Sequence, residues 1–356
     1  MDMHLLTSKE RLVLYGLVRW PELNDIELSK RISCKRPTVT AIRNKLRERG
    51  MYADVIVPNL GMIGCEILAV RYGSFNPMKK YRSRRKYSSL NRFPEVFFKK
   101  SSDMQRIAMS AFANFTDVMR YVEYSSIAYS KNKLASEGET RHVFFPLRLS
   151  RTLRFLDYAP LLRHSFRISL PEDKPALDLA PMEDTVREFS ENEKLVLYAI
   201  VKYPHLNDGE ISKRVSMTRQ SVNKMRRKFE KEKVIRRIRI PDVEKLGYEI
   251  MLFLHFSSNP EYTMEDRKEG IRRVLSTYPE ITTLVASNLE TVVIGFEKTF
   301  TDLQKDYGQF LSAYKKSNYL TKEPFDMIFP THEIKESING RYHPLLRKIF
   351  NIKKEV

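Results

Sequence analysis

Two basic stretches of this sequence carry side chains suited to reading a nucleic acid. The first presents Arg36, Thr38, Thr40, Arg43 and Asn44, and the second presents Arg219, Gln220, Ser221, Asn223, Lys224 and Arg227. Arginine, glutamine and asparagine offer the paired donors and acceptors that match base edges in a major groove. Serine, threonine and lysine suit phosphate oxygens. Behind each set runs an apolar stripe at helical spacing: Val39, Ile42 and Leu46 in one, Val222, Met225 and Phe229 in the other. A third basic run, residues 79–87, contains no acid, and its Arg82, Arg84, Arg85 and Lys86 are expected to add phosphate contacts. An Arg43 or Arg226 directed into the interior would undo the reading of these helices.

Other chemistry is sparse. The histidines (His4, His142, His164, His205, His255, His332 and His343) show no metal-ligand spacing, and no glycine-rich phosphate loop occurs. The expectation is therefore no catalytic residue, no metal, no cofactor and no enzyme. Cys34 and Cys65 form no Cys-x-x-Cys pair, no apolar leader precedes Thr7, and no apolar run approaches a membrane span. These features predict a cytoplasmic protein without a membrane partner. Lys and Arg number 63 against 44 Asp and Glu, a net charge of +19 over 356 residues. Such an excess is the footprint of a chain that displaces counterions from phosphates.

The elements that must position these residues are written twice. Leu12-Val13-Leu14-Tyr15 returns as Leu195-Val196-Leu197-Tyr198, 183 residues later. In the same register Pro21, Leu23, Asn24 and Asp25 answer Pro204, Leu206, Asn207 and Asp208, and Asn76-Pro77 answers Asn259-Pro260. Fainter echoes continue at offsets of 184 and 185, to Pro160-Leu161-Leu162-Arg163 and Pro344-Leu345-Leu346-Arg347. In each copy a capped helix, a short helix, a turn and a longer striped helix form a helix-turn-helix, followed by a strand or wing. Beyond it the second copy predicts strands and helices over 248–256, 264–277, 281–287, 291–296, 300–314 and 325–329. This is the βαββαβ order of a ferredoxin-like sandwich.

The fold class expected is α+β: two copies of a winged helix-turn-helix followed by a ferredoxin-like domain. Boundaries fall at 6–58 and 59–150, a tail helix and linker at 151–188, then 189–241, 242–332 and a C-terminal helix at 333–356.

Glu210-Ile211-Ser212-Lys213-Arg214-Val215, Val234-Ile235-Arg236-Arg237 and Pro241-Asp242-Val243-Glu244-Lys245-Leu246-Gly247-Tyr248 give the chain its likeness to known proteins. It resembles the leucine-responsive/AsnC, or feast/famine, family of transcription regulators. The resemblance implies sequence-specific binding of double-stranded DNA and pairing of the sheet domains. A pseudo-palindromic site read by two non-identical helices is expected, with a homodimer through the βαββαβ domains and the transcription machinery as further partners. The turns Ser101-Ser102-Asp103-Met104 and Ser287-Asn288-Leu289-Glu290 depart from the family's Gly-Asp effector turn. Two alternatives stand beside this reading: an interaction scaffold, and an enzyme like the siroheme decarboxylases, relatives that keep the double-domain form and act on a tetrapyrrole. The latter implies a histidine-rich second strand, where this chain has Val96-Phe97-Phe98-Lys99 and Ile281-Thr282-Thr283-Leu284.

Overall fold

The computed structural model describes residues 6–76, 78, 93–134, 140–171 and 186–353, with the backbone alone at 314–316. Arg82, Arg84, Arg85 and Lys86 lie outside these residues. The chain is a mixed α/β protein that opens with α1 (Ser8–Arg19), α2 (Asp25–Arg31) and α3 (Arg36–Glu48). Capping decides where these helices begin. The Thr7 side chain accepts from Glu10 N–H while the Glu10 carboxylate takes the Thr7 N–H, and Asn24 and Glu27 do the same for α2. Helix α3 has no side-chain cap, and Pro37 is accommodated in its first turn.

There follow β1 (Tyr52–Pro58), β2 (Ile67–Ser74), β3 (Val96–Ser101), β4 (Gln105–Phe112), α4 (Phe115–Lys131), β5 (Arg141–Pro146), β6 (Arg151–Arg154) and α5 (Ala159–Phe166). The second half answers with α6 (Glu191–Lys202), α7 (Asp208–Val215), α8 (Arg219–Lys231) and β7 (Ile235–Pro241). Then come β8 (Ile250–Ser257), α9 (Lys268–Thr277), β9 (Ile281–Ala286), β10 (Glu290–Glu297), α10 (Phe300–Ser317), β11 (Phe325–Pro330), β12 (Glu336–Asn339) and α11 (His343–Ile349).

These elements form two compact units that do not follow the sequence repeat. Unit 1 is Met1–Ala53, Ser150–Ala180 and Ile238–His332; unit 2 is Asp54–Leu149, Pro181–Arg237 and Glu333–Val356. In unit 1 the first three helices are grouped with the later sheet, whose strands run β11-β8-β10-β9-β6. The Arg239 guanidinium of β7 donates to the Leu17 carbonyl of α1 at 2.9 Å. Leu254, Phe256, Leu284 and Val293 meet Ile271, Val274 and Leu275 of α9 and Phe310 of α10 to make its core.

In unit 2 the later three helices are grouped with the earlier sheet, ordered β12-β3-β4-β2-β5. Ile67, Ala69, Val96, Ala108 and Phe112 pack there on Val118 and Tyr121 of α4. Neighbouring strands in both five-stranded sheets run antiparallel. The stretches expected as tail helix plus linker and as C-terminal helix each also supply an edge strand: β6 pairs with β9, and β12 with β3.

Candidate anion-binding site

Register and face place an unusual set of side chains in unit 2. Lys99, Ala108, Arg71 and His142 stand in one row across β3, β4, β2 and β5, and Arg106 stands in the next row opposite Gly73. Because strand side chains alternate, Arg71 shares its face with Ile67 and Ala69, the face that α4 covers. The residues at matching register in the unit 1 sheet are Leu284, Val293, Leu254 and Asp326, with Thr291 opposite Phe256. Leu284 and Leu254 thus stand in one sheet where the other has Lys99 and Arg71.

Both arginines are wholly buried, Arg71 at 1% exposure and Arg106 at 0%. Aromatic rings hold their planes. Arg106 lies 3.7 Å from the centroid of Tyr129 and 4.9 Å from that of Phe75, and Arg71 lies 4.6 Å from Tyr129 and 5.8 Å from Tyr121. Cation–π contacts of this kind supply about 0.5–2 kcal/mol each, less than the several kcal/mol that burying an unpaired cation costs.

The donor edges are left over. Among the described residues, Nε, Nη1 and Nη2 of Arg71 and Nε and Nη1 of Arg106 complete no hydrogen bond, and Arg106 Nη2 donates only to Thr140 Oγ1 at 3.2 Å. Tyr121 lies near enough to feel Arg71, and burial pushes its phenol up despite that pull. Buried Arg267 and half-buried Arg154 are treated differently. Arg267 donates to the carbonyls of Ser287 and Asn288 at 3.0 and 2.9 Å, and Arg154 to those of Ile281 and Leu275 at 2.6 and 2.9 Å.

Two further groups complete the row. Lys99, 1% exposed, is ion-paired with Glu336 of β12. His142 stacks on Phe144 with ring centroids 6.2 Å apart, and its buried Nε2 has no partner among the described residues. Burial, then Arg71 and Arg106, push its pKa down to about 4; burial and Arg71 bring Arg106 down to about 9. Five unmet guanidinium donor atoms thus lie in a dry, cationic setting, a donor set of the kind that suits carboxylate oxygens.

The residues singled out in the sequence fall on α3 and α8, with mixed placement. Arg36, Asn44, Arg219, Gln220, Lys224 and Arg227 are exposed, while Thr38 and Ser221 are half-buried. Ser221 Oγ shares a hydrogen bond with the Thr218 cap. Three others are turned away from the outward face assigned to them. Thr40 Oγ1 donates to Asp25 at 2.6 Å, and Arg43 binds Asp25 at 2.8 Å and the Leu23 carbonyl at 3.3 Å. Asn223 donates to Asp208 at 2.6 Å.

Arg226 lies 2.6 Å from the same Asp208 carboxylate. The side chains of Arg43 and Arg226 are 15% and 11% exposed, each held against the acid that opens the preceding helix rather than presented to solvent. An acid at the first residue of α2 and of α7 draws each third helix toward it, which helical periodicity does not register. Burial works against ionisation of Asp208, yet hydrogen bonds from Asn223 and Arg226 hold its carboxyl below the usual carboxylate range.

Unit 1 has a polar grouping of another kind. Carboxylate oxygens of Glu280, Glu297 and Asp306 lie within 4.8 Å of one another, and His164 Nε2 is 3.7 Å from Glu280. Burial foremost, then Glu280, Asp306 and Asp302, push Glu297 up to about 8.

No family model matches this chain, and no curated protein does. Solved structures do. The siroheme decarboxylase NirDL shares 10% identity with a TM-score of 0.53, over 97% of this chain and 99% of its own. The same enzyme in complex with an iron-uroporphyrin III analogue matches at 10% and 0.53, over 96% and 99%. An AsnC family transcriptional regulator from Agrobacterium tumefaciens matches 40% of this chain and 90% of its own, at 14% identity and a TM-score of 0.33. The fold is therefore shared with NirDL from end to end. This overturns the expectation of a non-enzyme, because the protein matched over the whole chain is an enzyme.

Arg71, Arg106, Lys99, Glu336 and His142 were not among the residues singled out in the sequence. A position-by-position comparison of the two sheets, Arg71 against Leu254 and Arg106 against Thr291, would have exposed them.

Proposed function

We propose that this chain is an enzyme acting on a carboxylate-rich tetrapyrrole, in the manner of a siroheme decarboxylase. One observation carries the reading: Arg71 and Arg106 are fully buried and have no carboxylate partner among the described residues. A charge held this way awaits an anion, and a substrate bearing several carboxylates supplies it. The full-length likeness to NirDL supports the tetrapyrrole class, and the +19 charge favours a polyanion. Decarboxylation breaks a C–CO2⁻ bond. The electron pair stays on carbon, CO2 leaves, and a proton must reach that carbon. The guanidiniums anchor and orient substrate carboxylates in a site from which water is excluded. No histidine stands on β3 or β9, and His142 on β5 lies beside Arg71 instead.

The test is an absorbance titration with iron-uroporphyrin III, on wild type and on an Arg71→Leu/Arg106→Thr variant. These replacements are the residues the other sheet already carries at matching positions, so folding should survive. Binding should weaken at least about tenfold, about 1.4 kcal/mol or more. Mass spectrometry of siroheme incubated with wild type should show loss of CO2. Equal affinity in both proteins would defeat the proposal.

A second reading rests on α8, where Gln220, Lys224 and Arg227 are exposed and have no ion partner among the described residues. That face suits a DNA duplex. Homodimerisation through the sheet domains and contact with the transcription machinery belong to the same reading. Duplex binding should then fall with salt, and Lys224→Ala should lower the log–log slope by about one. Absence of duplex binding at physiological ionic strength would remove this reading.

A further inference from the structure

We infer that His142 is the acid of this site and that the substrate's own carboxylates load its proton. The inference rests on the carboxylate-binding reading of Arg71 and Arg106. His142 stands opposite Arg71 in the β2–β5 register, on the face that α4 covers, and Nε2 is buried without a partner among the described residues. Burial, then Arg71 of β2 and Arg106 of β4, hold the imidazole neutral, with its pKa down at about 4. Tyr121 and Tyr129 face the two arginines from α4. Lys99 of β3 lies farther along the same row and is already matched by Glu336.

Carboxylates seated on the two guanidiniums, one for each charge, offset the repulsion that adds to burial in keeping a proton off His142. The imidazolium is then favoured, as for any histidine beside an anion. Binding should therefore take up a proton. In the chemical step the C–CO2⁻ bond breaks, CO2 leaves, and the imidazolium N–H proton passes to the carbon that keeps the electron pair. Neutral His142 is reloaded by the next substrate. The device keeps the acid unarmed in the empty site, where a buried imidazolium beside two guanidiniums would be strongly disfavoured. At matching register the other sheet has Asp326, which cannot serve as a cationic acid.

The experiment is calorimetric titration of the full chain with iron-uroporphyrin III at about pH 5.5, in buffers of differing ionisation enthalpy. Proton uptake should exceed that of His142→Gln by about one per porphyrin, because the free imidazole is mostly deprotonated there and the bound one is not. Because proton uptake and binding are linked, affinity at this pH should fall about tenfold in the variant and the difference should close toward about pH 8; His142→Asn serves if the glutamine variant does not fold. Equal uptake by wild type and variant overturns the assignment of His142 while leaving the site reading intact. No binding by wild type overturns both.

Discussion

A guanidinium buried without an anion makes a protein less stable than it could be, and this gives the proposed site a signature measurable with no ligand present. Replacing Arg71 and Arg106 by the leucine and threonine found at matching register should raise the unfolding free energy of the ligand-free protein by about 1–4 kcal/mol, read in urea melts. A loss of stability would mean that the two charges are satisfied by something other than a ligand. Glu297 provides a pH-dependent counterpart in unit 1. Its pKa in the folded chain, about 8, lies above the ordinary 4.5, so the folded state holds the proton more tightly than the unfolded state. The stabilisation is complete below the ordinary range and is lost as pH rises through about 8. Wild type should therefore lose stability between about pH 5 and about pH 9 relative to Glu297→Gln; parallel curves would reject the assignment. Neither grouping was legible from residue types alone. An arginine in a strand of apolar neighbours reads as a surface position, and only the packing of α4 over that face shows otherwise.

Helices and strands were more legible, because their ends follow local chemistry. The Ser190–Glu193 and Thr7–Glu10 capping boxes start α6 and α1 where the sequence motif stands, and the period-two and longer-period runs of the second half match β8 to β11. Edge strands β6 and β12 escaped notice. Arg151-Thr152-Leu153-Arg154 and Glu336-Ser337-Ile338-Asn339 are too short to display a period, and only their partners β9 and β3 make them strands. The two third helices differ at their starts: Thr218 accepts from Ser221 N–H, whereas Lys35 caps nothing. Lys35→Thr should stabilise the protein by about 0.5–1 kcal/mol in thermal unfolding, and a destabilised variant would mean that Lys35 has a role other than capping. On α8, Asp208→Asn should free Asn223 and Arg226 from their carboxylate. If α8 meets a duplex, affinity at low salt should rise severalfold in a mobility-shift titration. No rise would count against α8 as a nucleic-acid surface.

At the scale of the molecule the sequence offered a repeat to reason from, but how the chain would be partitioned was not legible, because contacts between distant segments leave no local trace. Each compact unit takes a group of three helices from one half, and its central sheet strands, with the helices packed on them, from the other. Separately expressed 1–180 and 181–356 should therefore each fail to give a cooperatively folded monomer, and co-expression should restore a one-to-one complex in size-exclusion chromatography. A stable monomer of 1–180 would refute this partition. The contrast between Lys99–Ala108–Arg71–His142 and Leu284–Val293–Leu254–Asp326 has a consequence for how such a site can arise. In an assembly of identical subunits, any destabilising innovation is imposed on every subunit at once. Here a single polypeptide holds two sheets of the same strand order that are free to drift apart. One can accept buried charge while the other stays mainly apolar at the same rows, so novelty is tried at half the risk to folding.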